Sequence, residues 1–182
     1  MNYIASRDQL VSGTIRAMLF FGASFGGVFF FAAQLALATG KGAWFDLATK
    51  PDLYPGPAVY CMGWFATSLL AGCASAIVFS SRGARRRRLA LACLALASLA
   101  NLLLIAVMST SAGNVSAIAA VVVATVAVCV SAGIAASVRV VAGILLAPSL
   151  LWLCAHCFIL WIAEQPPRQS DLHHAAQLRL SI

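Results

Sequence analysis

The chain has 182 residues, 62% of them hydrophobic and only 9% charged, and its mean hydropathy is +0.94. No water-soluble domain buries that much apolar surface. The formal charge of +7 does not point to nucleic acid, because five of the twelve basic residues sit together in residues 80–88, between two apolar runs, where they read as a topology signal.

A bilayer-spanning helix needs about 20 mostly apolar residues at 1.5 Å per residue. Residues 1–16 are polar enough for a short tail or interfacial turn. Residues 17–38 are too long and too late for a signal-peptide core and lack a small-residue cleavage site after them, so they are expected to remain as the first helix. Gly22, Gly26 and Gly27 give that helix a small face for close packing. The loop 39–58 carries Lys41, Trp44, Lys50 and three prolines. Helices are then expected over 59–79, 89–108, 115–136 and 140–163, with a turn at Ser109–Asn114 and a very short link containing Arg139 before the last. The fifth stops before Pro166-Pro167, and residues 164–182 read as an exposed tail. The expected architecture is a single all-α integral membrane domain, a bundle of five transmembrane helices.

Arg7 and Arg16, the arginine loop 80–88 and Arg139 fall on one side of such a bundle. In a bacterial inner membrane, the favoured location, the positive-inside rule then predicts the N-terminus and the arginine loop cytoplasmic, and the long loop and C-terminus outside. The six cysteines all lie within or at the edge of apolar runs, where free Cys behaves as a small hydrophobe.

No paired carboxylate, phosphate loop, nucleophile elbow or metal-ligand spacing is present. The informative residues are aromatic. Trp161 and Trp44 suit an interfacial belt, whereas Trp64 and Trp152 lie well within their helices. An indole N–H there must point into the bundle or toward a ligand. Asn101, in the middle of the third helix, either bonds a neighbouring helix or supplies an amide to a pocket.

In order and spacing these residues resemble the tryptophan-rich sensory and translocator proteins, also called peripheral benzodiazepine receptors. The family's loop pattern of a tryptophan, a second aromatic and then Lys-Pro is similar to Trp44-Phe-Asp-Leu-Ala-Thr-Lys-Pro51. Counting on, its next proline falls on Pro55, its second-helix tryptophan on Trp64 and a glycine on Gly72. Its Leu-Asn resembles Ala100-Asn101, and its Ala-Gly-Trp-Leu-Leu-Val-Pro-Tyr-Leu-Ala-Trp resembles Ala142-Gly-Ile-Leu-Leu-Ala-Pro-Ser-Leu-Leu-Trp152. Against that pattern Leu53 and Leu104 replace tryptophans, Gly56 a proline, Met62-Gly63 a Pro-Val, Ser149 a tyrosine and Leu160 an asparagine. These departures resemble a divergent bacterial-type member. The tyrosine-centred sterol motif of animal members is absent, so sterol binding is not implied.

The resemblance implies a pocket, roofed by the Trp44 loop, that takes porphyrins, haem or other flat hydrophobic ligands, with Phe45, Tyr60, Trp64, Asn101 and Trp152 at matching positions. A tetrapyrrole offers a broad π-face to indoles and polar edges to an amide. Homodimers and light- or oxygen-dependent porphyrin breakdown are likewise implied by the family alone. The expected ligand is a tetrapyrrole, with no cofactor required and no metal site in the protein.

His156 comes one turn after Trp152, on the same face of its helix. Ionisable groups within spans mark functional sites. Either it faces the pocket and ligates haem iron or bonds a propionate, or a backbone carbonyl or neighbouring helix satisfies it. Cys154-Ala-His-Cys157 is not a covalent haem motif, because its histidine lies between the cysteines. Two functions follow: a tetrapyrrole-binding sensor or carrier, non-enzymatic or weakly catalytic and linked to stress, or a small transporter or structural subunit whose tryptophans only pack helices.

Overall fold

The computed structural model describes residues 7–40, 56–110 and 114–163. Its helices in chain order are α1 (Arg7–Thr39), α2 (Pro57–Ser80), α3 (Arg87–Ser109), α4 (Asn114–Val138), α5 (Val140–Ile144) and α6 (Ala147–Ala163), with no strand among the described residues. They supply five stretches long and apolar enough to cross a membrane, the fifth, Val140–Trp161, being made of α5 and α6 together.

Two boundaries differ from expectation. α1 begins by Arg7, about ten residues before its apolar run. Residues 7–16 contain no proline, and a helix that satisfies its backbone internally can project past the hydrocarbon boundary without penalty. The fifth span, expected as one helix, breaks at Leu145–Leu146. Pro148 is the reason: it has no N–H to give the Ile144 carbonyl, and its ring crowds that same carbonyl. Local bonds replace the lost one, from the Leu146 N–H to the Gly143 carbonyl at 3.1 Å and from the Ser149 N–H to the Leu146 carbonyl at 3.1 Å.

The spans close a ring. α1 packs on α2, α2 on α5 and α6, these on α4, α4 on α3, and α3 back on α1, while α2 also touches α3 and α4. Small residues set the tightest crossings. A Cβ on Gly72 of α2 would run into the Phe21 backbone carbonyl of α1, one on Gly22 would lie 3.1 Å from Cys73 Sγ, and one on Gly26 3.0 Å from the Phe65 ring. Thus Gly22 and Gly26 are the close-packing face read from the sequence. Gly27 has nothing within 4 Å of its Cβ position. Gly143 of α5 likewise faces Ala132 and Ala136 of α4, which lets the chain reverse through Arg139 alone.

α3 and α4 meet through alanines and branched aliphatics, among them Leu94, Ala97, Val121 and Val128. One polar tie joins them among the described residues: the Ser131 hydroxyl is shared between the Ala127 carbonyl of its own helix at 2.7 Å and the Cys93 carbonyl of α3 at 2.8 Å. Phe20, Phe31, Leu96, Leu103, Val115 and Leu151 are all exposed. In water such a surface would drive association; in a bilayer it meets its proper solvent.

Candidate functional site

Five aromatic side chains from three helices converge in the half of the bundle that residues 41–55 connect. α2 brings Tyr60 and Trp64, one turn apart; α6 brings Trp152 and His156, also one turn apart; α1 brings Phe29. The spacing of four puts each pair on one helical face. Trp64 sits at the centre. Phe29 stacks on it with ring centroids 6.0 Å apart and planes 20° apart, Trp152 meets it edge-on at 6.4 Å and His156 lies at 5.5 Å. His156 also touches Trp152 at 5.0 Å and Tyr60 at 6.1 Å. Trp64 is only 2% exposed, His156 1% and Tyr60 0%.

The polar atoms within this apolar cluster are its chemistry. His156 Nδ1 lies 2.8 Å from the Trp152 carbonyl. A carbonyl can only accept, so Nδ1 carries a proton, and in the neutral ring the lone pair is then on Nε2. This is the backbone-carbonyl partner weighed for His156 from the sequence. The indole N–H groups of Trp64 and Trp152 are enclosed with no hydrogen-bond partner among the described residues, and so is Oδ1 of half-buried Asn101 on α3. Most buried donors in proteins are satisfied, so two enclosed indole N–H groups in contacting rings call for an explanation.

Several departures from the family pattern have a visible structural reason. Any Cβ on Gly63 would collide with the six-membered ring of Trp152, so the glycine makes room for that indole against α2. Gly56 adopts φ 77 and ψ 151, a region essentially closed to other residues, where it begins α2. Ser149 Oγ donates to the Thr67 carbonyl at 3.3 Å, tying α6 to α2. Leu104 and Leu160 are fully buried as ordinary core.

Of the residues singled out in the sequence, Tyr60, Trp64, Trp152 and His156 come together. Asn101 stands apart from these ring contacts on α3. Trp44, Phe45, the proposed lid and the tail 164–182 lie outside the described residues. Trp161 is exposed near the end of α6, as an interfacial residue would be. The sequence reading missed Phe29. Its signal was the stripe Gly22, Gly26, Phe29, Ala33, Ala36, all buried at helical spacing, in which Phe29 is the single large residue. No cluster of three metal-ligating side chains occurs among the described residues, and Cys154 and Cys157 are free thiols.

No curated protein and no solved structure matches the chain. The model of the TspO/MBR family matches residues 15–162, a stretch that takes in four spans whole, all but the first turn of the first span and every member of the aromatic cluster. The chain is an integral, multi-pass membrane protein that belongs to the TspO/MBR family.

Proposed function

We propose that this protein binds a porphyrin, haem or a similarly flat hydrophobic ligand at the Tyr60–Trp64–Trp152–His156 cluster, and serves tetrapyrrole sensing or handling. The observation that carries this reading is the pair of enclosed, unpartnered indole N–H groups on Trp64 and Trp152. Such donors suit the carboxylates or ring nitrogens of a tetrapyrrole, and the surrounding rings suit its π-face. Capture would come from the lipid phase. Trp64 and Trp152 would stack on or donate to the ligand, Asn101 would offer its amide, and Trp44 and Phe45 would cover it. Haem, if it is the ligand, supplies an iron that His156 could bind. The arginine loop and N-terminus would be cytoplasmic in an inner membrane; reporter fusions that place the loop outside would reverse this orientation.

A second reading has one observation in its favour: the rings already fill the cluster, with Trp64 and Tyr60 almost wholly buried. In that case the tryptophans pack helices, and the protein is a small transporter or structural subunit. Purified protein separates the two. Protoporphyrin should quench tryptophan fluorescence saturably at micromolar concentration, and Trp64→Phe with Trp152→Phe should abolish the saturable part, with Trp44 and Trp161 still reporting. Non-saturable quenching, or quenching that survives the double substitution, selects the structural reading. For haem, a His156→Ala Soret band identical to wild type excludes iron ligation.

A further inference from the structure

The arginine end of the bundle holds a second polar site. A cavity of about 500 Å³ is lined by Gln9, Thr14, Phe79, Ser80, Ser81, Arg82 and Arg139, with small α1 residues completing the wall. Arg82 follows α2, Arg139 links α4 to α5, and Thr14 belongs to α1, so the lining converges from distant parts of the chain. The Arg139 Nε–H reaches Ser81 Oγ at 3.4 Å, which holds that guanidinium at the rim. Two arginines and three hydroxyls line the cavity, and no carboxylate does among the described residues. The positive-inside rule accounts for arginines on this face, but not for two of them, from separate links, sharing one hydroxyl-lined cavity.

We propose that this cavity binds the phosphate of an anionic phospholipid headgroup. Guanidinium groups pair with phosphate through parallel charge-assisted bonds, so the Arg82 and Arg139 side chains carry the site, while Ser81 Oγ, which donates to the Ile77 carbonyl at 2.8 Å, serves to place Arg139. Its level in the membrane favours a lipid over free phosphate. The first span begins at Val11 and the second ends at Ser80, so the cavity lies at the headgroup layer, where basic sites between helices recognise anionic lipids. Phe79, over whose ring the Arg87 guanidinium lies at 5.0 Å, and Ala17 supply the apolar edge of the lining. The site lies about 24 Å along α2 from Trp64, at 1.5 Å per residue, and is independent of the aromatic cluster.

The test uses the full chain in phosphatidylcholine nanodiscs with a minor fraction of phosphatidylglycerol, extracted and weighed by native mass spectrometry. Wild type should retain phosphatidylglycerol in preference to phosphatidylcholine, and Arg82→Gln with Arg139→Gln should lower that retention about tenfold. Arg85→Gln with Arg86→Gln, which removes the same charge from a neighbouring cavity, should change it less than about twofold. Arg82→Lys with Arg139→Lys keeps the charge and guards against misfolding; without the guanidinium fork it should retain the lipid at a level between wild type and the Gln pair. Any of three results overturns the proposal: equal loss in the two Gln pairs, no lipid preference in wild type, or millimolar inorganic phosphate displacing the lipid.

Discussion

The two walls of the bundle are built from different chemistry. α1, α2 and α6 contain all the aromatic residues of the described helices, whereas α3 and α4 contain none. On the first wall, glycines bring backbones together and rings fill the space that remains. On the second, alanine, valine and leucine mesh directly, with Ser131 as a single cross-helix tie. An aliphatic wall gives a ligand surface without direction. A ring-lined wall gives orientation, so the enclosed indole donors and the candidate site fall on that side. Where the family has a third-helix tryptophan, this chain has Leu104, which widens the contrast.

The comparison is broken most severely at the closest backbone approach. Gly72→Leu would drive a side chain into the Phe21 carbonyl, which belongs to backbone and cannot swing aside. A loss of about 3 kcal/mol is expected, toward the upper end for overpacking, and with it most of the folded protein after detergent extraction. Size-exclusion chromatography and thermal unfolding measure this; a wild-type melting curve would show that α1 and α2 do not need this contact.

Leu104→Trp is a milder attempt to erase the difference between the walls. Leu104 is completely buried, so the larger ring should cost about 1–3 kcal/mol. An unchanged melting temperature would mean that the aliphatic wall holds unused room for an aromatic. The smallest effect on stability belongs to Asn101→Leu. Its Oδ1 is enclosed without a partner, and replacing an unsatisfied polar group by an apolar one of similar size is nearly neutral. Stability should stay within about 0.5 kcal/mol of wild type, in the range of substitutions away from special features. Protoporphyrin affinity should nevertheless fall. A clear drop in stability would instead identify Asn101 as glue between helices.

Much of this was legible beforehand, for physical reasons that differ by element. Hydropathy alone exposes five spans, because nothing but a long apolar helix satisfies its backbone in hydrocarbon. Gly22 and Gly26 announce a close crossing by their spacing of four, and His156 announces its place beside Trp152 in the same way. What joins Trp64 to Trp152 is different, since 88 positions separate them, and only the likeness to a family placed them together. Phe29 was hidden because it begins a run of three phenylalanines, and the identity of the inward one depends on the rotation of α1 against α2. The break before Pro148 was within reach of proline's missing N–H, but spanning helices often carry proline without dividing, so residue type alone does not decide it.

That break has a consequence for the direction of the site. In an unbroken helix, the azimuth of every side chain is inherited from the first turn, so the tight Gly143 contact with α4 would dictate where Trp152 and His156 point. The tightened step at Leu145–Leu146 shifts that inherited phase, because its i→i−3 bonds wind about three residues per turn instead of 3.6. α6 continues in the shifted phase, in which Trp152 fits on Gly63 and Ser149 bonds Thr67. The basic end and the aromatic end of the fifth span are therefore offset from each other, and each is held by its own neighbours.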